Sequence, residues 1–94
     1  MTIEQKIHTT KFKDILKTNR VKRISLFGSY AHGLARKNSD LDFLVDFEKE
    51  ADLFDQVGLK NDLERYLNKN VDVVSRSGLN KYIRAKISKE AIRL

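Results

Sequence analysis

The chain has 94 residues, a formal net charge of +6 and no cysteine; 40% of its residues are hydrophobic and 34% are charged. This composition is typical of a soluble globular protein, and the length predicts one domain over residues 1–94 with one modest core. The lack of cysteine excludes a disulfide framework, and with only two histidines it argues against a zinc site, which leaves carboxylate oxygens as metal ligands. No stretch approaches the ~18 apolar residues of a membrane helix or resembles a signal peptide, so we expect a cytoplasmic protein.

The first half of the chain predicts a helix, a strand and a short helix. Apolar residues at helical spacing predict a helix over residues 2–18. Val21–Phe27 alternates as a strand, with Val21, Arg23, Ser25 and Phe27 on one side, and Gly28 ends it. Ser29 then suits the N-cap of a short helix over residues 30–34.

The second half predicts two strands and two helices. Leu41–Phe47 is expected to be a strand whose apolar face contains Leu41, Phe43, Val45 and Phe47. An amphipathic helix is expected at Leu53–Leu67, although Gly58 within it costs about 1 kcal/mol relative to alanine. A strand follows at Val71–Ser75, and then a helix from about residue 79 with six candidate buried positions: Tyr82, Ile83, Ala85, Ile87, Ala91 and Ile92. The order α-β-α-β-α-β-α predicts an α/β (α+β) unit with a small mixed β-sheet flanked by helices.

Three aspartates occupy places where a strand is expected to carry hydrophobic residues. Asp40 and Asp42 are one residue apart, so on an extended chain their side chains project to the same side, and Asp72 lies within a valine-rich strand. Paired carboxylates repel each other unless a cation bridges them, and Mg²⁺ suits such oxygen ligands. The alternative is that they are solvent-facing residues of a sheet with one wet face. Asp46 fits that alternative, because it lies beside a charged loop.

A possible phosphate site lies just upstream of these aspartates. Gly28 lets the backbone approach a ligand closely, and the Ser29 hydroxyl adds a donor at the start of the short helix. The alternative is a tight turn followed by a capping serine. His32 could contact phosphate, act as a base or be a partly exposed surface residue, while Arg36 and Lys37 could attract a triphosphate or be a solvated loop. His8 carries no functional signal.

These residues carry a family resemblance. GSYAHGLARKNSDLDFLV resembles the nucleotidyltransferase signature of the DNA polymerase β superfamily, in which Gly-Ser is followed after a loop by Asp-x-Asp. From Val21 to the C-terminal residue the chain is similar to the minimal nucleotidyltransferase (MNT) family, whose members are commonly antitoxins paired with HEPN-domain toxins. The resemblance implies that Gly28 and Ser29 hold the β- and γ-phosphates. It also implies that Asp40, Asp42 and Asp72 bind metal. Where the family commonly has arginine, this chain has His32, which lacks the guanidinium's fixed fork.

The resemblance also implies a reaction and its partners. AMP would pass from ATP to a hydroxyl of the HEPN toxin, expected to be a tyrosine hydroxyl, with two Mg²⁺ ions at the aspartates. Asp72 would act as metal ligand, as base or as both. The chain would then be a protein adenylyltransferase and an antitoxin that silences its toxin, in a homo- or hetero-oligomer.

Two other functions remain open at this stage. The chain could be a non-catalytic antitoxin that neutralises the toxin by binding, with a weak or unused nucleotide site. The presence of His32 where the family commonly has arginine is compatible with this function. It could also be a small nucleic-acid-binding protein, since its positive charge attracts polyanions. That reading is weaker, because the sequence has neither a recognition helix nor an aromatic platform, and a lysine-rich solvated surface explains the charge.

Overall fold

A four-stranded mixed sheet organises the computed structural model, which describes residues 1–31, 33 and 39–94. The strands are Val21–Phe27 (β1), Leu41–Phe47 (β2), Val71–Ser75 (β3) and Ile92–Arg93 (β4), in the spatial order β3-β2-β1-β4. β1 is antiparallel to β2 and β4, whereas β2 and β3 are parallel. The helices are Ile3–Lys6 (α1), Thr10–Thr18 (α2), Leu53–Leu67 (α3) and Lys81–Glu90 (α4), with a 3₁₀ turn at Arg76–Gly78. The predicted fold class is confirmed. None of the described helices is both long and apolar enough to span a membrane.

The predicted N-terminal helix is two helices, so that prediction was wrong in its continuity. Thr2 caps α1 in a capping box with Gln5, and Thr9 begins α2 by accepting a hydrogen bond from the Phe12 amide at 3.2 Å. A threonine hydroxyl that caps a new helix competes with continuation of the preceding one. The first helix therefore ends after one turn.

The short helix predicted after Ser29 does not form among the described residues. Residues 28–31 and 33 are turns, and the Gly33 amide donates to the Tyr30 carbonyl at 3.4 Å. Ser29 therefore caps none of the described helices. Leu34, the expected end of this helix, lies outside the described residues.

The core lies between one face of the sheet and the helices α2 and α3. As predicted for β2, Leu41, Phe43 and Val45 are fully buried on this face. One assignment in β1 was wrong: Val21 packs against the core, because a register shift between Val21 and Arg23 moves it to the face of Ile24 and Leu26. The core comprises Phe12, Ile15, Ile24, Leu26, Leu41, Phe43, Val45, Leu59, Leu63, Leu67 and Val71.

The burial predicted for the last helix was wrong. α4, all of which is described, has no buried residue: Tyr82 is 79% exposed and Ile83 is 47% exposed. α4 lies on the sheet face opposite the core, where Ser88 lines a cleft with Leu44 and other residues of β1 and β2. Among the described strand residues on that face only Leu44 is buried, so the helix has little apolar surface to cover. Ile92, predicted to be in the helix, is in β4.

Packing against Asn19 explains why α3 contains a glycine at position 58. A Cβ added there would lie 2.6 Å from Oδ1 of Asn19, which is closer than real Cβ atoms approach. Asn19 is only 6% exposed, and its Nδ2 donates to the Ile15 carbonyl and to Oδ2 of Asp62, both at 2.9 Å. Glycine therefore allows α3 to approach a buried hydrogen-bonding asparagine.

We expect Gly58→Ala to destabilise the protein by about 1–2 kcal/mol, although alanine has the higher helix propensity. The methyl group must displace Asn19 from its two hydrogen bonds. Urea unfolding measures the change. Gly78→Ala is the control, because a Cβ at Gly78 meets no described atom within 4 Å and should leave the midpoint nearly unchanged. A Gly58→Ala variant more stable than the parent would contradict this account of Asn19.

Candidate functional site

The three predicted aspartates lie at one end of β2 and β3. Asp42 and Asp72 are direct neighbours in the parallel register of these strands, and Asp40 immediately precedes β2. Because successive side chains of a strand alternate, Asp42 and Asp72 lie on the face opposite the core. Asp42 is half-buried, whereas Asp40 and Asp72 are exposed.

Asp42 is held in an unfavourable electrostatic environment. Burial raises its pKa above the ordinary value, and the Asp72 charge, a hydrogen bond shared with Asp72 and the Asp40 charge raise it further. The cluster is therefore a concentration of negative charge that a bound cation would relieve.

Gly28 lies against the Asp42 carboxylate. It follows β1, whose last residue Phe27 pairs with Asp42 across the antiparallel register. Its φ of +76° is in the left-handed region, and a Cβ added to it would overlap Oδ2 of Asp42 and lie 3.2 Å from Cγ. Ser29 continues this turn and is half-buried. The predicted Gly-Ser segment therefore lies beside the predicted carboxylates, with no room for a side chain between Gly28 and Asp42.

The turn between α3 and β3 holds the other side of the site. Asn68 ends α3 in the left-handed conformation, with φ of +53°, and its amide donates to the Glu64 carbonyl at 2.9 Å. Oε2 of Glu64 accepts the Val71 amide at 3.0 Å, and the Asn70 carbonyl accepts the Leu41 amide at 2.9 Å. This turn therefore sets the relative positions of the residues beside Asp72 and Asp42. No local sequence pattern predicted the contact of this turn with β2.

Glu64 should make the contribution of this turn to the stability of the fold depend on pH. Its bond to the Val71 amide, assisted by Lys60 at 3.0 Å, lowers its pKa below the ordinary 4.5. A depressed carboxyl pKa stabilises the fold above the unfolded-state value, and this stabilisation is lost as the pH falls through the folded value. We expect Glu64→Gln to be less stable than the parent at pH 7, with the gap closing as the pH falls below about 4.5. Thermal unfolding at several pH values tests this; a gap independent of pH would contradict it.

The donor chemistry suits a hard divalent cation, although the side chains do not form a closed ligand set. All three candidate groups are carboxylates, which are ligands that Mg²⁺ and Mn²⁺ accept. Among the described residues no three Asp, Glu, His or Cys side chains converge as a metal cluster. Asp42 and Asp72 adjoin each other, with Asp40 contributing to the electrostatics of Asp42. The residues fit a cation that also receives ligands from a substrate.

Of the other residues considered in the sequence, the structure describes Asp46 but not His32. Asp46 is not a simple surface residue: its Oδ2 pairs with Arg23 at 3.4 Å and with Arg76 at 3.5 Å, and its side chain is 22% exposed. Two arginines hold it on the same face as Asp42, at the other end of β2. His32, Arg36 and Lys37 lie outside the described residues, so their predicted roles stay predictions.

Comparison with known proteins finds a matching family, a similar relative and similar solved structures. Residues 9–94 match the family model of the nucleotidyltransferase domain. Protein adenylyltransferase MntA of Thermococcus cleftensis is 35% identical over 94 residues, covering 98% of this chain and 95% of that protein. A solved structure described as a minimal nucleotidyltransferase superposes with a TM-score of 0.84 at 38% identity, covering 100% of this chain and 97% of that one. A crystal structure of a toxin–antitoxin with AMP-PNP superposes with a TM-score of 0.74 at 26% identity, covering 88% and 68%.

Proposed function

The chain belongs to the nucleotidyltransferase domain family, and on this premise we propose that it transfers AMP from ATP to a hydroxyl group of a partner protein. The observation that carries the proposal is the contact of Gly28 with Asp42, which itself adjoins Asp72 on the next strand. A backbone turn without side-chain bulk thereby lies beside carboxylates that raise one another's pKa, as the raised pKa of Asp42 indicates. That juxtaposition suits a triphosphate bound together with a divalent cation. The similarity to a protein adenylyltransferase supports protein as the acceptor.

Each residue of the site has a proposed role. Gly28 and Ser29 bind the β- and γ-phosphates, through backbone approach at Gly28 and the hydroxyl of Ser29. Asp40 and Asp42, with Asp72, hold Mg²⁺ in a two-metal arrangement. Metal ions held there would neutralise charge on the α-phosphate and on the departing pyrophosphate, and would lower the pKa of the attacking hydroxyl. Asp72 is exposed and adjoins Asp42, so it is accessible to accept the proton of the incoming hydroxyl. His32 is proposed to contact phosphate.

The acceptor is proposed to be a tyrosine of a HEPN-domain toxin, and the chain its cytoplasmic antitoxin. Two observations support a protein partner. A structural neighbour is a toxin–antitoxin complex with a nucleotide analogue. In addition, this small domain exposes a group of large hydrophobic side chains at the start of α3, with Phe54 86% exposed. Val57 lies four residues after Leu53 and three after Phe54, so each of these two side chains neighbours Val57 on the helix surface.

The same exposed apolar face favours a second candidate function. A non-catalytic antitoxin would neutralise its toxin by covering it and would need no nucleotide. Leu53, Phe54 and Val57 lie beyond the end of β2 that is opposite Asp40 and Asp42. A seven-residue strand spans roughly 20 Å, so binding through this face could be separated from chemistry at the aspartates.

Incubation with labelled ATP, Mg²⁺ and the product of the adjacent gene tests both functions. Transfer of label to the partner by the parent, and not by Asp40→Ala/Asp42→Ala, would support the enzyme. Leu53→Ser/Phe54→Ser should weaken complex formation while leaving the nucleotide site intact. The enzyme proposal fails if the parent transfers no label and the aspartate variant still neutralises the toxin. Mass spectrometry of the labelled partner identifies the modified residue.

A further inference from the structure

We propose that Lys69 is a positioning residue of the nucleotide site, joining the turn after Gly28-Ser29 to the segment that carries Asp40. The inference rests on the proposed function for the meaning of the site, but its contacts are independent of which acceptor is used. Lys69 lies in the turn between α3 and β3 and comes from neither of the segments that it connects.

Two contacts of Lys69 make the bridge. Its Nζ donates to the Ser39 carbonyl at 3.4 Å, immediately before Asp40. The same Nζ lies 5.5 Å from the centroid of the Tyr30 ring, within the range of a cation–π interaction, and Tyr30 immediately follows Ser29. One ammonium group therefore contacts a residue adjacent to each of the two parts of the site.

The base of this bridge is fixed. The neighbouring Asn68 is bonded through its amide to the Glu64 carbonyl, and Asn70 accepts the Leu41 amide. Glu64 also accepts the Val71 amide at 3.0 Å. Lys69 therefore projects from a turn that is bonded on one side to α3 and on the other to β2. Its ammonium group is held relative to the strands that carry Asp42 and Asp72.

Of the three carboxylates, Asp40 is the one whose backbone position is not fixed by strand pairing. Asp42 and Asp72 are held within paired strands, whereas Asp40 lies outside β2 and is exposed. The bond from Lys69 to the Ser39 carbonyl restrains the backbone one residue away from it. Residues that orient metal ligands commonly contribute ten- to hundredfold to metal affinity. Loss of the Lys69 contacts should therefore loosen Asp40 and weaken cation binding.

Lys69 could act by positioning the segment before Asp40 or only through its positive charge. These two roles predict opposite effects of its removal on cation affinity. The Lys69 ammonium lies beside the segment that carries Asp40, and a positive charge there repels a divalent cation, so if charge were its only effect its removal would tighten cation binding. If Lys69 positions the segment before Asp40, its removal weakens binding. The sign of the change therefore separates the two roles.

The experiment is a titration with Mn²⁺ alone, followed by the electron paramagnetic resonance of free Mn²⁺, without ATP or acceptor. Lys69→Gln and Lys69→Met are each expected to weaken Mn²⁺ binding about tenfold. Lys69→Arg, which keeps a donor and a cation over the ring, is expected to stay within about threefold of the parent. Lys81→Gln is the matched control, because Lys81 lies 5.7 Å from the centroid of the Tyr82 ring on α4 and should have no effect.

The outcomes separate this inference from the proposed function. Unchanged or tighter Mn²⁺ binding in Lys69→Gln and Lys69→Met would overturn the positioning role, as would a Lys69→Arg variant as weak as Lys69→Gln. A parent that does not bind Mn²⁺ would overturn the cation site and the inference with it. A parent that binds Mn²⁺ but transfers no AMP would refute the proposed function alone. Circular dichroism checks that each variant is folded at the titration temperature.

Discussion

Asp42→Asn is expected to abolish AMP transfer and, in the absence of metal, to make the protein more stable. Asp42 is the half-buried member of the carboxylate cluster, and its pKa is raised by burial, by Asp72 and by Asp40. Asparagine removes the charge and with it the repulsion, so the fold loses an unfavourable interaction. The same change removes a proposed metal ligand. We expect transfer to fall by about 10³-fold, equivalent to several kcal/mol of transition-state stabilisation.

The stability gain should depend on pH in a defined direction. A carboxyl whose pKa is raised on folding destabilises the fold at pH values above that raised pKa, and the destabilisation disappears as the pH falls and the carboxyl is protonated. The gain from Asp42→Asn should therefore be full at pH 7 and vanish under acidic conditions. It should remain below about 1 kcal/mol, since solvent screens an incompletely buried carboxylate. Urea unfolding in EDTA at pH 7 and at pH 4 measures it.

Asp46→Asn is the matched control on the same strand and the same face. Asp46 is paired with Arg23 and Arg76, so its replacement removes favourable interactions and should not stabilise the protein. Transfer should remain within a few-fold of the parent. Mg²⁺ should raise the unfolding midpoint of the parent and of Asp46→Asn, but not that of Asp42→Asn. Equal Mg²⁺ stabilisation of Asp42→Asn and the parent would count against Asp42 as a ligand.

Three of the four strands could be predicted from the sequence because they carry local patterns, whereas the two-residue β4 was missed. In β2 the predicted residues Leu41, Phe43 and Val45 are buried on the core face, and Leu44 is buried on the opposite face. α3 was predicted from its apolar periodicity with its observed bounds, in spite of Gly58, since Asn19 supplies a tertiary reason for glycine there. The break after α1 was missed because the apolar spacing continues through it while Thr9 caps a new helix.

The parts that could not be predicted depend on contacts between distant segments. α4 was predicted to bury apolar residues, yet none of its residues is buried, because the sheet face that it lies on is mostly polar. The spacing of Asp40 and Asp42 was visible in the sequence, and so was the presence of Asp72. Their placement beside Gly28 follows from the pairing of β1 with β2 and of β2 with β3. The bridge from Lys69 to Ser39 and Tyr30 joins residues 30 or more positions apart, which no local pattern encodes.

Gly28→Ala should inactivate the site by a different route, without removing any proposed ligand. Alanine at φ +76° is strained by about 1 kcal/mol. Its methyl group would also occupy the space of Oδ2 of Asp42, so the carboxylate must move away from residue 28. Because displacing a reacting group by about 1 Å costs on the order of 10²-fold in rate, we expect transfer to fall by about that factor.

Gly33→Ala separates the steric effect from the backbone strain. Gly33 has φ +68°, so alanine there carries a similar strain, but its Cβ meets no described atom within 4 Å. Both variants should lose comparable stability in urea, and transfer by Gly33→Ala should fall by less than about tenfold. Mn²⁺ binding should weaken only in Gly28→Ala. If the two variants lost activity equally, strain in the turn would explain the effect, and the contact between Gly28 and Asp42 would have no part in it.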